Sequence, residues 1–208
     1  MRDLNERFLG TTRGRIVALL RQGPQTVHDM AAGLDLSPNA VRSHLVALER
    51  DGVIRSAGVR RRGGAGKPAS EYELTVEAET RLSRAYPPFL GALLDALADR
   101  LERTELEQLL RDVGRRLAPA GEGVPGSLPE RAAVAAAALN ALGGAAEVVS
   151  ADGLVIQSRG CPLGAVVARR PEVCGAVRAL IADVTGARVR ERCERGERAR
   201  CRFEIAEP

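Results

Sequence analysis

Residues 26–74, TVHDMAAGLDLSPNAVRSHLVALERDGVIRSAGVRRRGGAGKPASEYEL, hold the pattern from which the rest of the chain is read. Val27, Met30, Ala31 and Leu34 recur at helical spacing, which predicts a short helix from a cap at Thr26 to Gly33, the glycine taking the left-handed turn that ends it. A second helix follows almost at once. Ser37 is a good N-cap, Pro38 suits the first helical position because its missing N–H has no partner to lose there, and Val41, Leu45 and Leu48 form an apolar stripe; Gly52 stops it. Two short helices joined by a turn at Gly33–Leu36 form a helix-turn-helix, an arrangement whose second helix enters the major groove of DNA.

The outer face of that second helix then carries the chemistry. Stepping 100° per residue away from the apolar stripe leaves Asn39, Arg42, Ser43 and Val46 pointing outward. Asn39 can pair with adenine, Arg42 with guanine, and Ser43 with a base or a phosphate, while Ser37 sits at the helix N-terminus, where phosphates bind. His44 lies on the inner side, as expected for a partly buried, hydrogen-bonded histidine rather than a metal ligand.

Val53–Arg55 and Tyr72–Leu74 read as strands around a glycine-rich loop, a hairpin or wing. Between Gly52 and Ser70 stand Arg55, Arg60, Arg61, Arg62 and Lys67 with no acid, so Arg60, Arg61, Arg62 and Lys67 are expected to meet a phosphate backbone. A solvated charged loop is the bland alternative; the position directly behind a helix-turn-helix favours DNA. The run S-x-x-A-V-R-x-H-L-x-x-L-E-x-x-G-V-I, with the later G-K-P-A-S-x-Y-x-L-T, resembles the bacterial winged-helix regulators grouped as ArsR-like or DeoR-like. The resemblance covers about the first third of the chain and implies a dimeric repressor bound to a double-stranded DNA operator.

Composition is consistent with this. The chain has 208 residues, 45% hydrophobic, with a net charge of +4 and an isoelectric point near 9.2. That allows two modest domains and a nucleic-acid partner. Lys67 is the sole lysine, so clusters of arginine weigh more than single ones. No apolar run reaches membrane-spanning length and the N-terminus lacks a signal peptide's apolar centre, so a cytoplasmic, non-membrane protein is expected. An enzyme is not expected: there is no phosphate-binding loop and no nucleophile with a histidine partner, and both histidines lie in the DNA-binding part.

On the N-terminal side, residues 11–22 predict a helix with Ile16, Leu19 and Leu20 inward. Beyond the wing, Val76–Arg84 reads as helix and Tyr86-Pro87-Pro88 as a break. Leu90, Leu94, Leu97 and Leu101, then Leu106, Leu110, Val113 and Leu117, form two leucine seams, the second opened by a capping box at Thr104 and Glu107. These seams are expected to pair two copies, which would set two recognition helices about 34 Å apart, one turn of DNA. After a linker at 119–126 come a helix capped by Ser127 and Glu130, a hairpin about Asp152-Gly153, a helix opened by Pro171, and a hairpin across Arg195-Gly196. The expected fold is therefore α+β: a winged helix-turn-helix over 1–76, a helical dimerisation segment over 77–118, and a small α/β sensor domain over 127–208.

All four cysteines, Cys161, Cys174, Cys193 and Cys201, fall in the last 48 residues, separated by 12, 18 and 7. In a reducing compartment they point to metal or redox chemistry rather than structural disulfides, although free cysteines are most often plain buried residues. The spacing lacks the paired C-x-x-C of structural zinc sites and names no metal. Cys161 precedes a short helix and Cys174 opens one, positions that favour thiolate; Arg159, Arg192, Arg198, Arg200 and Arg202 crowd the group and would suit an anionic centre. The tail C-P-L-x(10)-C, then L-T-G-A-x-V and C-x-F-x-I, is similar to the sensor domain of the winged-helix repressors of the suf operon, which controls iron–sulfur cluster assembly. That resemblance implies an iron–sulfur cluster on Cys161, Cys174 and Cys201. The family's remaining cysteine falls where this chain has Arg188, leaving the fourth ligand to Cys193 or to a non-cysteine group. Zinc, or a small apolar effector, is the alternative occupant of the sensor.

Overall fold

The computed structural model describes residues 4–61, 68–119, 124–150, 153–194 and 200–207. Arg62, Lys67, Asp152, Arg195, Gly196, Arg198 and the centre of the 119–126 linker lie outside the described residues. The chain forms two compact units, Met1–Arg84 and Ala85–Pro208.

The first unit contains α1 (Leu4–Leu9), α2 (Thr12–Leu20), β1 (Gln25–Thr26), α3 (Val27–Leu34), α4 (Pro38–Arg50), β2 (Ile54–Arg60), β3 (Ala69–Leu74) and α5 (Val76–Leu82). Its core joins Ile16, Val17 and Leu20 of α2 to Met30, Ala31 and Leu34 of α3, to Val41, Leu45 and Leu48 of α4, and to Ile54 and Leu74 of the strands. The sheet runs β1-β3-β2, all antiparallel, so the wing is a hairpin extended by the short strand before α3.

Two local expectations need correction here. α3 does not end at Gly33; it continues to Leu34, and Asp35 takes the left-handed conformation at φ 55°. An aspartate tolerates that region better than most side chains, and the last carbonyl of α3 is satisfied by Arg15 Nη2 at 3.3 Å. α2 buries Val17 along with Ile16 and Leu20, leaving Leu19 only partly covered.

The second unit runs α6 (Tyr86–Ala98), α7 (Arg103–Leu117), α8 (Leu128–Ala141), β4 (Ala146–Val149), β5 (Leu154–Ser158), α9 (Gly164–Val167), a 3-10 turn (Pro171–Val173), α10 (Cys174–Thr185), β6 (Arg188–Glu191) and β7 (Cys201–Ala206). Its antiparallel sheet has the order β4-β5-β7-β6. One face of the sheet buries Ile156, Cys201, Phe203 and Ile205 against α8 and α10, which supply Ala132, Ala135, Leu139, Leu180 and Ile181. Asn140 ties α8 to the outer strand, its amide oxygen accepting from Ala146 N at 2.6 Å and its amide nitrogen donating to Ala146 O at 3.0 Å.

The two leucine-seam helices, α6 and α7, belong to this second unit, whereas α5 belongs to the first. Leu94, Leu106 and Leu110 of the expected dimer seam are buried inside it, packed with Val166, Val167, Val173 and Cys174. Tyr86-Pro87-Pro88 starts α6 instead of breaking the pattern, since prolines in a first turn lose no hydrogen bond. The entrance to α7 is set two residues earlier than expected: Glu102 N donates to Glu105 Oε2 at 3.0 Å, in place of the predicted Thr104 and Glu107 pair.

α7 and α10 approach closely at Gly114, where a Cβ would fall 2.1 Å from the Ala176 carbonyl oxygen and 2.9 Å from Ala179 Cβ. Alanine in a helix interior ordinarily gains about 1 kcal/mol over glycine. Here the clash is with backbone that cannot rotate away, and overpacking typically costs about 1–3 kcal/mol. Gly114→Ala is expected to lower stability by about 2 kcal/mol by urea denaturation; a gain would mean the two helices are free to separate.

Candidate functional site

α4 carries on its outer face the residues expected to read DNA. Ser37 caps it, its hydroxyl accepting from Ala40 N at 3.2 Å. Asn39, Arg42, Ser43 and Val46 are all exposed, with Val46 at 67%, while the opposite face is buried. Arg42 Nη1 donates to Asn39 Oδ1 at 2.8 Å, and Ser43 Oγ donates to the Asn39 carbonyl at 3.1 Å. The three polar side chains therefore form one patch, held in place before any ligand arrives. His44 is half-buried on its inner flank.

The wing departs from five uncompensated cations. Arg55 pairs with Glu73 across the hairpin at 2.7 Å. Arg60 donates to Glu71 through Nε at 2.6 Å, to Asp29 Oδ2 at 2.9 Å and to the Pro24 carbonyl at 3.2 Å. Asp29 is also the capping partner of Thr26, accepting from its backbone N at 3.0 Å and its hydroxyl at 2.7 Å. Arg60 thus fastens the wing to the entrance of α3, because acids distant in sequence fold beside it. Arg61 is exposed.

In the second unit β5, β7 and β6 lie side by side and end together. Ser158 pairs with Cys201 in register. Its hydroxyl accepts from Ala145 N at 3.2 Å and from Gly160 N at 3.4 Å, bending the chain that leads to Cys161. On the other side Arg192 N donates to Arg202 O and the Glu194–Arg200 bridge closes the hairpin, so Cys193 stands opposite Cys201. Arg202 N meets Cys193 Sγ at 3.4 Å.

Cys161, Cys193 and Cys201 therefore converge. The Cys201 thiol donates to the Cys161 sulfur, which, with the Leu163 backbone N–H, lowers the Cys161 thiol to about 7 against the opposing effect of its burial. Cys201 moves the other way: hydrogen bonds to Cys161 and Cys193, then burial, hold it protonated. Glu191, unmarked in the sequence, faces the same group and resists a negative charge on Cys161.

Cys174 has different surroundings. It is buried among aliphatic side chains in the cluster that also packs on Cys161. Its N–H is already bonded to the turn that precedes α10, so the open helix end expected from Pro171 does not exist there. Among the described residues no three His, Cys, Asp or Glu side chains form a ready-made metal site. As donors, the Cys201 thiol beside both Cys161 and Cys193, with Cys174 in the adjoining wall, suits a thiophilic centre.

A further surface was read only in part from the sequence. α6 leaves Tyr86, Phe89, Leu90 and Leu93 exposed, at 58%, 67%, 37% and 44%. Leu90 belonged to the seam read from sequence; Tyr86, Phe89 and Leu93 share its face by helical spacing and did not.

An exposed polar patch on the second of two crossed helices, followed by an antiparallel wing, defines a winged helix-turn-helix domain. Residues 10–56 match the family model described as bacterial regulatory protein, arsR family. The chain is also similar to reduced HlyU from Vibrio cholerae N16961 (23% identity over 40% of this chain and 81% of that one, TM-score 0.30). A possible transcriptional regulator for arsenical resistance aligns at 29% identity over 49% of this chain and 100% of its own, with a TM-score of 0.30. The zinc-responsive MarR family member ZitR from Lactococcus lactis aligns at 20% identity over 50% and 70%, with a TM-score of 0.30. No curated protein matches. Among the described residues no helix is long and apolar enough to cross a membrane.

Proposed function

We propose that this chain is a homodimeric transcriptional repressor whose operator affinity is set by an iron–sulfur cluster on Cys161, Cys174, Cys193 and Cys201. The observation that carries the reading is the meeting of Cys161, Cys193 and Cys201 at one end of a sheet, in a unit separate from the winged helix. A bound cluster supplies a redox-active, oxygen-labile centre. The chain's own contribution is a lowered Cys161 thiol ready to ligate, the Ser158 bend that presents it, and Cys174 in the wall beside it. Occupancy acts on DNA binding only if one arrangement of the dimer holds the cluster better than another. The apolar face of α6, Tyr86, Phe89, Leu90 and Leu93, is the surface we assign to that dimer.

Anaerobic purification, iron and sulfide analysis, and a gel shift of loaded against cluster-free protein on its own promoter test this reading. Protein that stays colourless after reconstitution removes the cluster and leaves the DNA-binding assignment intact. One observation favours zinc as a second reading. Sulfurs about 2.3 Å from one tetrahedral ion lie about 3.8 Å apart, close to mutual contact, whereas a cluster spreads them. Zinc without sulfide in the purified protein would select it.

At the DNA, Asn39, Arg42 and Ser43 read bases, Ser37 and Arg61 meet phosphates, with Arg62 and Lys67 assigned there from sequence, and Arg60 positions the wing. Arg42→Ala is expected to cost about 1–3 kcal/mol on the operator and to relax base preference. Arg61→Ala should instead weaken every sequence alike and reduce the slope of affinity against salt by about 1. Equal loss of discrimination in both variants would reverse these roles.

A further inference from the structure

We infer that the second unit holds a binding site for a small polyanion, a molecule carrying two or more phosphate or carboxylate groups, in the groove lined by Arg111 of α7, Arg178 of α10 and Arg188 of β6. The groove has a volume of about 390 Å³, within the usual range of small-molecule sites. Ala179, Ala182 and Ala187 also line it, and their short side chains leave the room that longer ones would fill.

Backbone packing brings the three arginines together. α7 and α10 approach as closely as they do because position 114 is glycine, with the Ala176 carbonyl against it. Arg111 lies three residues before that crossing on α7 and Arg178 two residues after it on α10, so both border one groove. Gly186 then ends α10 in the left-handed conformation, at φ 63°, and turns the chain directly into β6, which opens on Arg188.

The charge balance of the groove favours an anion. Over residues 85–208 arginines and acids are equal in number, whereas here Arg111, Arg115, Arg178 and Arg188 meet a single acid, Asp183. Arg115 is paired with Asp112, and Arg111 reaches Glu107 only at 4.0 Å. Among the described residues no ion pair engages Arg178 or Arg188. A ligand with several negative charges relieves the repulsion among such cations, and guanidinium groups grip phosphate or carboxylate through paired hydrogen bonds. The larger cavity on the other side of Arg111 and Arg178, about 550 Å³, is lined by Glu107, Glu172 and Glu191 and is the poorer host for an anion. No cysteine and no residue of the winged helix lines the groove, so the site goes beyond the proposed function and gives the second unit an input of its own.

The test is calorimetric titration of the full chain, reduced, freed of metal and desalted, with inorganic pyrophosphate and separately with citrate, at about 0.15 M salt so that loose surface attraction is screened. One ligand per chain is expected from at least one of the two, with acetate, a monoanion, giving no saturable binding. Pyrophosphate alone assigns the site to phosphates, and citrate alone to carboxylates. Arg178→Gln and Arg188→Gln should each weaken binding about tenfold or more, the worth of a charge-assisted hydrogen bond. Asp183→Asn should tighten it, and Arg116→Gln, exposed on α7 outside the groove, should leave it unchanged. Both substituted arginines of the groove are exposed, so the variants should keep the parent's circular dichroism. No binding of either polyanion, binding that survives Arg178→Gln and Arg188→Gln, or an equal loss in Arg116→Gln would each overturn the proposal. Neither iron nor an operator enters the assay, so its failure leaves the cluster reading standing, and a chain that takes up no cluster can still bind the polyanion.

Discussion

Cys161→Ser/Cys201→Ser protein, purified anaerobically and exposed to iron and sulfide, is expected to stay colourless and to bind its operator identically before and after that treatment. The two positions supply the partly exposed thiol with the lowered pKa and the buried thiol bonded to it. A serine hydroxyl does not ionise near neutral pH, so the variant removes two soft anionic donors. Structural metal sites can hold about 10–16 kcal/mol of apparent binding energy, so loss of half the thiol donors is expected to take occupancy below detection, not merely to weaken it. The fold should survive, because serine is close to cysteine in size and Cys161 is only partly buried. Circular dichroism matching the parent, with iron retained, would show that the cluster sits elsewhere; iron lost but operator control kept would separate the centre from regulation. Cys174→Ser is the informative companion, since Cys174 contributes from an apolar wall and not from the touching group.

Phe203→Ala should produce the largest loss of stability in the second unit, about 3–5 kcal/mol. Phe203 is fully buried on β7, the strand flanked on both sides by β5 and β6, and it packs in the cluster shared with α8 and α10. Truncation leaves a cavity where rigid strands and two helices meet, and Ala132, Ala135 and Ala136 across the gap are too short to fill it. Because the chain forms two compact units, each with its own core, denaturant unfolding of the variant is expected to resolve into two transitions, with that of residues 1–84 unmoved. A single transition displaced as a whole would mean that the units unfold as one. The same substitution should loosen the register that brings Cys201 to Cys161, so its thiols should also become more readily alkylated.

The helices and strands themselves were largely legible, for local reasons. Ser37 and Pro38 announce α4, Ser127 with Glu130 announces α8, and period-two runs mark β5 and β7; each is a property of a few adjacent residues. The outward face of α4 followed from counting around a single helix. The failures share the opposite feature. Arg60 read as a free cation because Glu71 and Asp29 are remote in sequence, and Leu94, Leu106 and Leu110 read as part of a dimer seam because periodicity reports that a face is apolar but not what covers it. Thr104 and Glu107 had the right spacing for a cap, and two residues upstream Glu102 and Glu105 had it too.

By itself the sequence determined that a helix-turn-helix and a wing occupy the front of the chain, that a small α/β module ends it, and that every cysteine lies in that module. Those are matters of periodicity, capping and composition, which act over one or two helical turns. Only the tertiary structure decided that Cys161 and Cys193 both meet Cys201 while Cys174 lies in a neighbouring aliphatic cluster, and that Arg60 is bound and Arg61 exposed. Strand order and register bring about those meetings, and they are chosen by long-range burial of Ile156, Phe203 and their partners, which no short stretch of residues encodes.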